Sequence, residues 1–331
     1  MSKRILITGA NGFLGSHIVS AALKKKYKVR AFVRKNSDLT NLSKLNIEVY
    51  RGDLRDIETL KQASDKCDEI FHVAADYRLW AKKPSEIYES NVLGTQNVLE
   101  VVKKIGAKLI YTSSVATLGI NPIGEANEET PVDLSSMIGD YKKSKYIAEK
   151  MVLDYVFNEK VRCVIVNPST PIGPGDIKPT PTGNIIYHVL KKKMPAYVDT
   201  GLNIVNVKDV ADGHFLASSK GKIGEKYILG GENLLFKDLL KIISDISNVP
   251  NPKMCLPTFP LYPIAFLNEF IASYLTNYEP LLTLDGLKMS EKKMFFSSEK
   301  AKKKLGYRPS SIKNAITESI NWFINNSKKM E

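Results

Sequence analysis

Three tyrosines stand four positions before a lysine, a spacing that places a phenol and an ammonium on the same face of a helix. The pairs are Tyr141–Lys145, Tyr146–Lys150 and Tyr187–Lys191. Only the first pair shares its face with apolar residues such as Ala148 and Val152, and the third lies beyond a proline-rich segment. A phenol has a pKa of about 10, and a nearby ammonium lowers it. The spacing therefore predicts that Tyr141 exchanges a proton with a substrate and that Lys145 tunes its pKa.

Two serines follow a predicted apolar strand, Lys108–Thr112. Ligands of doubly wound sheets bind outside the carboxyl ends of the strands, which is where Ser113 and Ser114 fall. A serine there can hydrogen-bond a substrate oxygen while Tyr141 moves the proton. The alternative is a core serine beside a packed tyrosine, but the serine, tyrosine and lysine together favour chemistry at an alcohol or carbonyl carbon.

Glycines spaced G-x-x-G-x-x-G separate the first predicted strand from the first predicted helix, in the segment Thr8–Gly15 (TGANGFLG). A tight turn, a close approach to a pyrophosphate and close helix–strand packing each need a residue without a Cβ. The helix N-terminus also offers N–H groups to phosphates. The alternative is an ordinary turn, but its place at the first strand–helix junction favours a dinucleotide. The expected contacts are Gly9, Asn11, Gly12, Phe13, Leu14 and Gly15.

The end of the second predicted strand indicates which dinucleotide binds. Folds that select NAD place an acidic residue there, whereas this chain has Arg34 and Lys35. Cations at that position suit the 2′-phosphate of NADP, because a guanidinium pairs bidentately with phosphate. We therefore expect NADP(H) to be preferred, and NAD(H) is the alternative if the two residues are only surface cations. Asp53, followed by Leu54, is expected at the adenine.

Apolar strands alternate with helical patterns through the first half of the chain. The predicted strands are Arg4–Thr8, Lys28–Val33, Ile47–Tyr50, Glu69–Ala74, Lys108–Thr112 and Val161–Val166, and the predicted helices are Leu14–Lys24, Ser85–Lys104 and Asp140–Asn158. This alternation predicts an α/β fold with a parallel sheet and helices on both faces. The right-handed crossover rule makes it a doubly wound Rossmann fold.

A segment rich in proline and glycine, residues 167–183, ends this alternation. We place the dinucleotide-binding Rossmann domain at residues 1–168 and expect residues 201–230 to return to its sheet through the strands Gly201–Val210 and Lys226–Gly230. Residues 169–200 and 231–331 would form a smaller, mostly helical C-terminal substrate-binding lobe. The apolar run Phe259–Leu275 is too interrupted to span a bilayer. It is interpreted as a buried helix, with a lid helix or a surface that meets a lipid-like substrate as the alternatives.

Composition narrows the class of protein further. The 331 residues are 43% hydrophobic and 25% charged, which is typical of globular proteins. The net charge of +13 could indicate nucleic acid, but the lysine triplets are spread along the chain, so we expect no nucleic-acid partner. Three cysteines and four histidines lack metal-ligand spacing, which argues against a metal site. The N-terminus carries no signal-peptide core, so we expect a cytoplasmic protein.

Motifs along essentially the whole chain, TGANGFLG, HVAA, YTSS, YKKSK and NPSTPIG, resemble the extended short-chain dehydrogenase/reductase superfamily. Longer segments, such as HVAADYRLW and KKMFFSSEKAKKKLGYRP, are similar to hopanoid-associated sugar epimerases and to dihydroflavonol 4-reductases. The resemblance implies a catalytic set of Ser114, Tyr141 and Lys145, and a homodimer built on helices Ser85–Lys104 and Asp140–Asn158. The further cofactor contacts expected with it are Ala74, Ala75, Asn91, Thr112, Tyr141, Lys145, Pro168, Ser169 and Thr170.

Two departures from the superfamily bear on the activity. Its dehydratases carry a carboxylate pair just after the serine or threonine, whereas this chain has Val115 and Ala116. Arg34 favours NADP(H), which suits a net reductase better than an epimerase that retains NAD. We therefore expect an NAD(P)-dependent oxidoreductase or epimerase that transfers hydride at an alcohol or carbonyl carbon of a sugar or a lipid- or flavonoid-like substrate. The alternative is a non-catalytic NADP-binding regulatory protein on the same fold.

Overall fold

Seven strands form one parallel sheet at the centre of the protein. The computed structural model describes residues 2–275, 280 and 282–326. In chain order the strands are β1 (Arg4–Thr8), β2 (Lys28–Val33), β3 (Glu48–Arg51), β4 (Glu69–His72), β5 (Lys108–Thr112), β6 (Cys163–Pro168), β7 (Thr170–Ile172), β8 (Ala196–Tyr197), β9 (Gly201–Asn206), β10 (Lys226–Leu229), β11 (Glu232–Leu235), β12 (Met254–Cys255) and β13 (Lys293–Met294). The helices are α1 (Phe13–Lys24), α2 (Ile57–Ser64), α3 (Ser85–Tyr88), α4 (Gly94–Ile105), α5 (Gly139–Asn158), α6 (Pro181–Leu190), α7 (Val207–Lys220), α8 (Phe236–Ser247), α9 (Tyr262–Tyr274), α10 (Leu284–Ser290), α11 (Glu299–Leu305) and α12 (Ile312–Asn326).

The order of strands across the main sheet is β3-β2-β1-β4-β5-β6-β10, and every neighbouring pair is parallel. The order reverses between β1 and β4, and doubly wound sheets bind ligands at such a switch point. The prediction of a doubly wound Rossmann fold is confirmed. The six strands predicted for its first half begin and end within two residues of the observed ones.

Side chains of the sheet alternate between two apolar layers, as a strand period of two requires. In β1, Ile5 and Ile7 pack with residues of α1 and α7, whereas Leu6 packs on the opposite face with α2, α4 and α5. A third apolar cluster joins α6, α8 and α12. This cluster lies in the region expected to form the substrate lobe, and the division of the chain into two functional domains stays a prediction.

The prediction that Gly201–Val210 is a strand of the main sheet is wrong. β9 belongs to a separate sheet, in which it pairs with β11, β13 and β7. The strand ends at Asn206 because this side chain accepts a hydrogen bond from Lys208 N at 3.0 Å and caps α7. The other predicted strand, Lys226–Gly230, is confirmed as β10 beside β6. The C-terminal region, expected to be mostly helical, therefore contains a small sheet as well.

The helix predicted over Ser85–Lys104 is not one continuous α-helix. A π-helical turn, Glu89–Leu93, joins α3 to α4. Such turns hold an extra residue and are frequent at functional sites. Asn91 lies in this turn and is buried.

The helix within Phe259–Leu275 is not buried, contrary to the interpretation of the sequence. α9 packs Ala265 and Ala272 against the protein, while Phe266, Phe270 and Tyr274 are 49–74% exposed. The sequence gives the apolar positions of a helix but not which neighbouring element covers them. Among the described residues, no helix is long and apolar enough to cross a membrane.

Candidate active site

The end of β5 and the first turn of α5 bring Ser114 and Tyr141 together. The Ser114 backbone is extended, and its Oγ accepts a hydrogen bond from Ala116 N at 3.1 Å. α5 begins at Gly139, whose φ of +77° lies in the left-handed region that glycine adopts readily. The Ser114 side chain lies near enough to the Tyr141 phenol to lower its pKa. Two of the three predicted catalytic side chains are therefore neighbours.

Lys145 lies one turn further along α5 and is almost fully buried. Its Nζ donates hydrogen bonds to the Tyr111 hydroxyl at 3.0 Å and to the Thr112 carbonyl at 2.8 Å. Burial lowers the pKa of Lys145 to about 8, and the Glu149 carboxylate opposes this shift. The ammonium of Lys145 is thus held at the carboxyl end of β5.

The pKa of Tyr141 departs from the expectation that Lys145 would lower it. Burial raises this pKa above its usual value of 10.0, and the nearby Ser114 side chain offsets the shift only in part. Lys145 Nζ donates its hydrogen bonds to the Tyr111 hydroxyl and the Thr112 carbonyl, and desolvation of the phenol is the largest effect on the pKa of Tyr141. Tyr141 therefore stays protonated at neutral pH, the state in which a phenol can donate a proton.

A buried carboxylate, Glu149, anchors α5. The sequence analysis did not single it out. Glu149 lies one turn after Lys145 and is 3% exposed. It accepts hydrogen bonds from Ser113 Oγ at 2.5 Å, Thr117 Oγ1 at 2.8 Å, Asn167 Nδ2 at 2.9 Å and Lys226 Nζ at 3.2 Å. These donors follow or belong to β5, β6 and β10, so Glu149 fixes α5 against three neighbouring strands. The signal in the sequence is an acid at the helical spacing of Tyr141 and Lys145.

The same carboxylate gives the two serines different surroundings. Ser113 Oγ donates a hydrogen bond to Glu149, whereas the Ser114 side chain lies near the Tyr141 phenol and lowers its pKa. Asn167 Nδ2 also donates to the Ser114 carbonyl at 3.0 Å, which fixes the backbone there. The choice of Ser114 over Ser113 as the catalytic serine agrees with this placement and stays a prediction.

The predicted glycine turn is packed too tightly for larger residues. A Cβ at Gly15 would lie 2.1 Å from the Gly9 carbonyl oxygen, and a Cβ at Gly9 would lie 2.7 Å from Ala74 Cα. Gly12 is the N-cap of α1 and no side chain caps this helix. The N–H groups of its first turn, at Phe13 and Leu14, are therefore available to a phosphate.

Asn91 forms hydrogen bonds with both the loop after β4 and α5. Its Oδ1 accepts a hydrogen bond from Asp76 N at 2.7 Å, and its Nδ2 donates to the Asp76 carbonyl at 2.9 Å and to Ser144 Oγ at 3.0 Å. The loop carries Ala74 and Ala75, both predicted to touch the cofactor. Asn91 is thus positioned to orient the cofactor side of the site, and its own contact with the cofactor stays a prediction.

Cations gather where β2 and β3 end. The parallel register pairs Arg51 with Val33, the last residue of β2, and Arg51 Nη1 reaches past it to donate to the Lys35 carbonyl. Both residues line a surface pocket together with Asp53. Arg55 holds the Asp53 carboxylate through two hydrogen bonds and lowers its pKa, with a smaller effect from Arg34. Sequence reasoning missed Arg51, because its place beside Lys35 depends on the register of the strands.

Three other predicted cofactor residues lie around the same edge of the sheet and contact the protein itself. Asn11 Nδ2 donates to the Asp38 carbonyl at 3.2 Å. Thr112 Oγ1 is hydrogen-bonded to His214 Nε2 at 2.9 Å. Leu54 lies against the first residue of α4. Their contacts with a cofactor stay predictions.

The segment Pro168–Thr170 runs from the end of β6 into β7. Ser169 is buried, and its Oγ has no hydrogen-bond partner within the described parts of the chain. A buried hydroxyl without a partner is destabilising unless a bound molecule supplies one. This orphaned hydroxyl and the tight glycine turn fit a bound dinucleotide.

The protein combines a doubly wound sheet with a glycine turn at the first strand–helix junction and a Ser–Tyr–Lys set at the carboxyl edge of the sheet. This combination defines a dinucleotide-dependent oxidoreductase. The chain belongs to the NAD dependent epimerase/dehydratase family, whose model matches residues 5–230. This membership confirms the resemblance to extended short-chain dehydrogenases/reductases. The protein is an NAD(P)-dependent oxidoreductase or epimerase, which disfavours the non-catalytic regulator.

Similar proteins cover nearly the whole chain. A "Putative dihydroflavonol 4-reductase" of Synechocystis sp. is 43% identical over 98% of this chain and 96% of its own length. "Sterol demethylase protein B" of Methylococcus capsulatus is 30% identical over 96% and 97% of the two chains. The crystal structure of gox2253 is 47% identical, with a TM-score of 0.89 over 99% of each chain.

Removing the Glu149 carboxylate tests its anchoring role. Glu149→Ala is expected to lower the free energy of unfolding by about 2 kcal/mol or more, because it leaves several buried donors unpaired. Glu159→Ala, which removes a half-exposed carboxylate paired with Lys103 near the end of the same helix, should cost less than about 1 kcal/mol. Urea unfolding of both variants measures the difference. Equal losses would contradict the anchoring role.

Proposed function

We propose that the protein reduces a ketone on an apolar, polycyclic or lipid-like substrate to the alcohol, with NADPH as the cofactor. The observation that carries this proposal is the placement of Ser114 just after β5, Tyr141 in the first turn of α5 and the buried Lys145 ammonium one turn further on, bonded to the Thr112 carbonyl. A hydroxyl pair of this kind can hold a carbonyl oxygen and supply a proton to it. The same residues would run the oxidation of an alcohol in reverse.

Each residue has a separate task in the proposed reaction. A dinucleotide held at the glycine turn of Gly9, Gly12 and Gly15 would supply the hydride for the carbonyl carbon. Ser114 orients the substrate oxygen, and Tyr141 donates its phenolic proton as negative charge develops there. Because burial keeps the pKa of Tyr141 above its usual value, the protonated form needed for reduction is present at neutral pH. The Lys145 ammonium, with a pKa of about 8, stabilises the phenolate that remains.

The names of the relatives support an apolar substrate over a nucleotide sugar. Proteins 43% and 30% identical to this chain are named for a dihydroflavonol reductase and a sterol demethylase. Flavonoids and sterols are both polycyclic and carry a ketone or hydroxyl on a ring carbon. The solved sugar epimerases and dehydratases are about 20% identical, which supports only the shared fold.

The cations at the ends of β2 and β3 support NADP(H) over NAD(H). Lys35 and Arg51 line one surface pocket beyond the ends of β2 and β3, where a Rossmann fold meets the ribose 2′ group. Arg34 precedes Lys35 and lies near enough to Asp53 to lower the pKa of that carboxyl. Asp53 would repel a phosphate, but Arg55 pairs with it. The three cations would therefore attract a 2′-phosphate that carries up to two negative charges.

The proton transfer is tested by Tyr141→Phe. We expect turnover of a ketone substrate to fall by about 10²–10⁴-fold, because the proton donor is lost, while NADPH affinity stays within a few-fold. Tyr146→Phe is the matched control, since the Tyr146 hydroxyl donates a hydrogen bond to the carbonyl of Val132, in a loop, at 3.4 Å. Steady-state kinetics and calorimetry measure the two effects. Near wild-type activity of Tyr141→Phe would refute the assignment.

Cofactor choice is tested at Arg34 and Arg51. A charge-assisted hydrogen bond contributes about 1.5–3 kcal/mol, roughly ten- to a hundred-fold in affinity. We expect NADP(H) to bind at least about ten-fold more tightly than NAD(H), and Arg34→Ala or Arg51→Ala to reduce that preference with little effect on NAD(H). Lys44→Ala, an exposed cation elsewhere, is the control. Equal wild-type affinities in calorimetry would favour an epimerase that retains NAD.

A homodimer is proposed on family resemblance, with α4 and α5 as the interface. Exposed apolar side chains on these helices support it, since Phe157 is 62% and Ile105 40% exposed. Light scattering is expected to give twice the 37.0 kDa chain mass, and Phe157→Glu to shift the protein towards the monomer. A wild-type monomer at micromolar concentration would contradict this proposal.

A further inference from the structure

One face of α9 is apolar, uncharged and open to solvent. We define the apolar patch as the residues of and around this helix that are 36–85% exposed, namely Phe259, Ile264, Phe266, Leu267, Phe270, Ile271, Tyr274 and Leu275. At 100° per residue, the patch residues on α9 fall on one side of the helix and the buried Ala265 and Ala272 on the other. Apolar surface this concentrated marks an interaction site.

The charged and polar groups of α9 are turned towards the protein. Glu269 is the only charged residue of the helix, and its Oε1 accepts a hydrogen bond from Leu284 N at 2.8 Å. The Tyr262 hydroxyl donates to Glu291 Oε1 at 3.0 Å. The helix is therefore fixed to α10 through its polar side, which leaves the apolar patch facing outwards.

The patch lies next to the candidate active site. α10 packs against α9, and its Asp285 side chain is so close to Gly139 that a Cβ there would lie 3.1 Å from Asp285 Oδ2. Gly139 begins the catalytic helix two residues before Tyr141. One short helix therefore separates the apolar patch from the start of the catalytic helix.

Exposed cations flank the patch in sequence and in the elements that hold it. They are Lys253, just before it, and Lys292 and Lys293, just after α10. Lys288, within α10, is paired with Asp285 at 3.9 Å, and the exposed Glu291 accepts hydrogen bonds from Thr258 and Tyr262. The chain as a whole carries a net charge of +13. An anionic surface would therefore be attracted to this side of the protein.

We propose that the apolar patch docks on an anionic lipid bilayer, with α9 lying in the plane of the membrane surface. The helix has 13 residues, about 20 Å at 1.5 Å per residue, so it is too short to span a hydrocarbon core of about 30 Å. An apolar helical face with cations beside it is the arrangement that binds the interface between headgroups and acyl chains.

Docking in this way would place the active site where a membrane-dissolved substrate can enter from the side of α10. This consequence rests on the function proposed above, because it assumes an apolar substrate. Vesicle binding does not, since it needs neither substrate nor turnover. A failure of one can therefore be told from a failure of the other.

The experiment is flotation of the full-length chain with vesicles of phosphatidylcholine that contain about one third phosphatidylglycerol. We expect the wild-type protein to float with the vesicles. The bound fraction of the double variant Phe266→Ser/Phe270→Ser should be at least about ten-fold smaller than that of the wild type. Ile223→Ser is the control. Ile223 is 40% exposed and lies in the loop before β10, at the amino ends of the strands, whereas the candidate active site lies at their carboxyl ends. Circular dichroism and NADPH binding check that the double variant is folded.

Wild-type binding that the double variant loses and the control keeps supports the proposal. No wild-type binding, or equal binding of all three proteins, overturns it. Light scattering provides a further arm. If the double variant converts a wild-type oligomer into a smaller species, the patch is a protein interface and the membrane proposal is wrong.

Discussion

The site depends on one buried carboxylate. Glu149 collects hydrogen bonds from groups on or just after β5, β6 and β10, and it sits on the helix that carries Tyr141 and Lys145. A buried carboxylate without partners would cost several kcal/mol, so α5 can occupy only the register that satisfies it. Apolar packing of Ala148, Val152 and Val156 would tolerate small shifts of the helix, but this set of hydrogen bonds does not. The positions of Ser114, Tyr141 and Lys145 follow from that register.

A second polar network prepares the cofactor side of the same edge. Thr8 Oγ1 accepts hydrogen bonds from Val73 N at 3.1 Å and Ala74 N at 3.2 Å, and it is bonded to His72 Nδ1 at 2.8 Å. Burial lowers the pKa of His72 to about 3, so the ring is neutral. Its hydrogen bond with Thr8 links β4 to β1. These strands flank the switch point of the sheet. The glycine turn and the loop after β4 are therefore held in place by the protein itself.

Local patterns could be predicted from the sequence because their causes are local. Each of these patterns depends on residues that are close together in the sequence. They are the glycine spacing, the alternation within the strands and the helical face of Tyr141 and Lys145. The sheet that contains β9 could not be predicted from the sequence, because the strands that pair with β9 are short and come from distant parts of the chain. Arg51 joins Lys35 only through the register of β2 and β3. The direction of the Tyr141 pKa shift depends on burial, which the sequence does not give.

In the proposed reaction, Tyr141 and Ser114 assist the transfer of hydride to a ketone carbon. Mass spectrometry tests this reaction on the alcohol formed from a panel of polycyclic ketones with NADPH deuterated at the transferring C4 position. We expect one deuterium on the carbinol carbon and one NADP⁺ formed per alcohol. Epimerisation of a sugar nucleotide without net consumption of NADPH, and no labelled alcohol from any ketone, would contradict it.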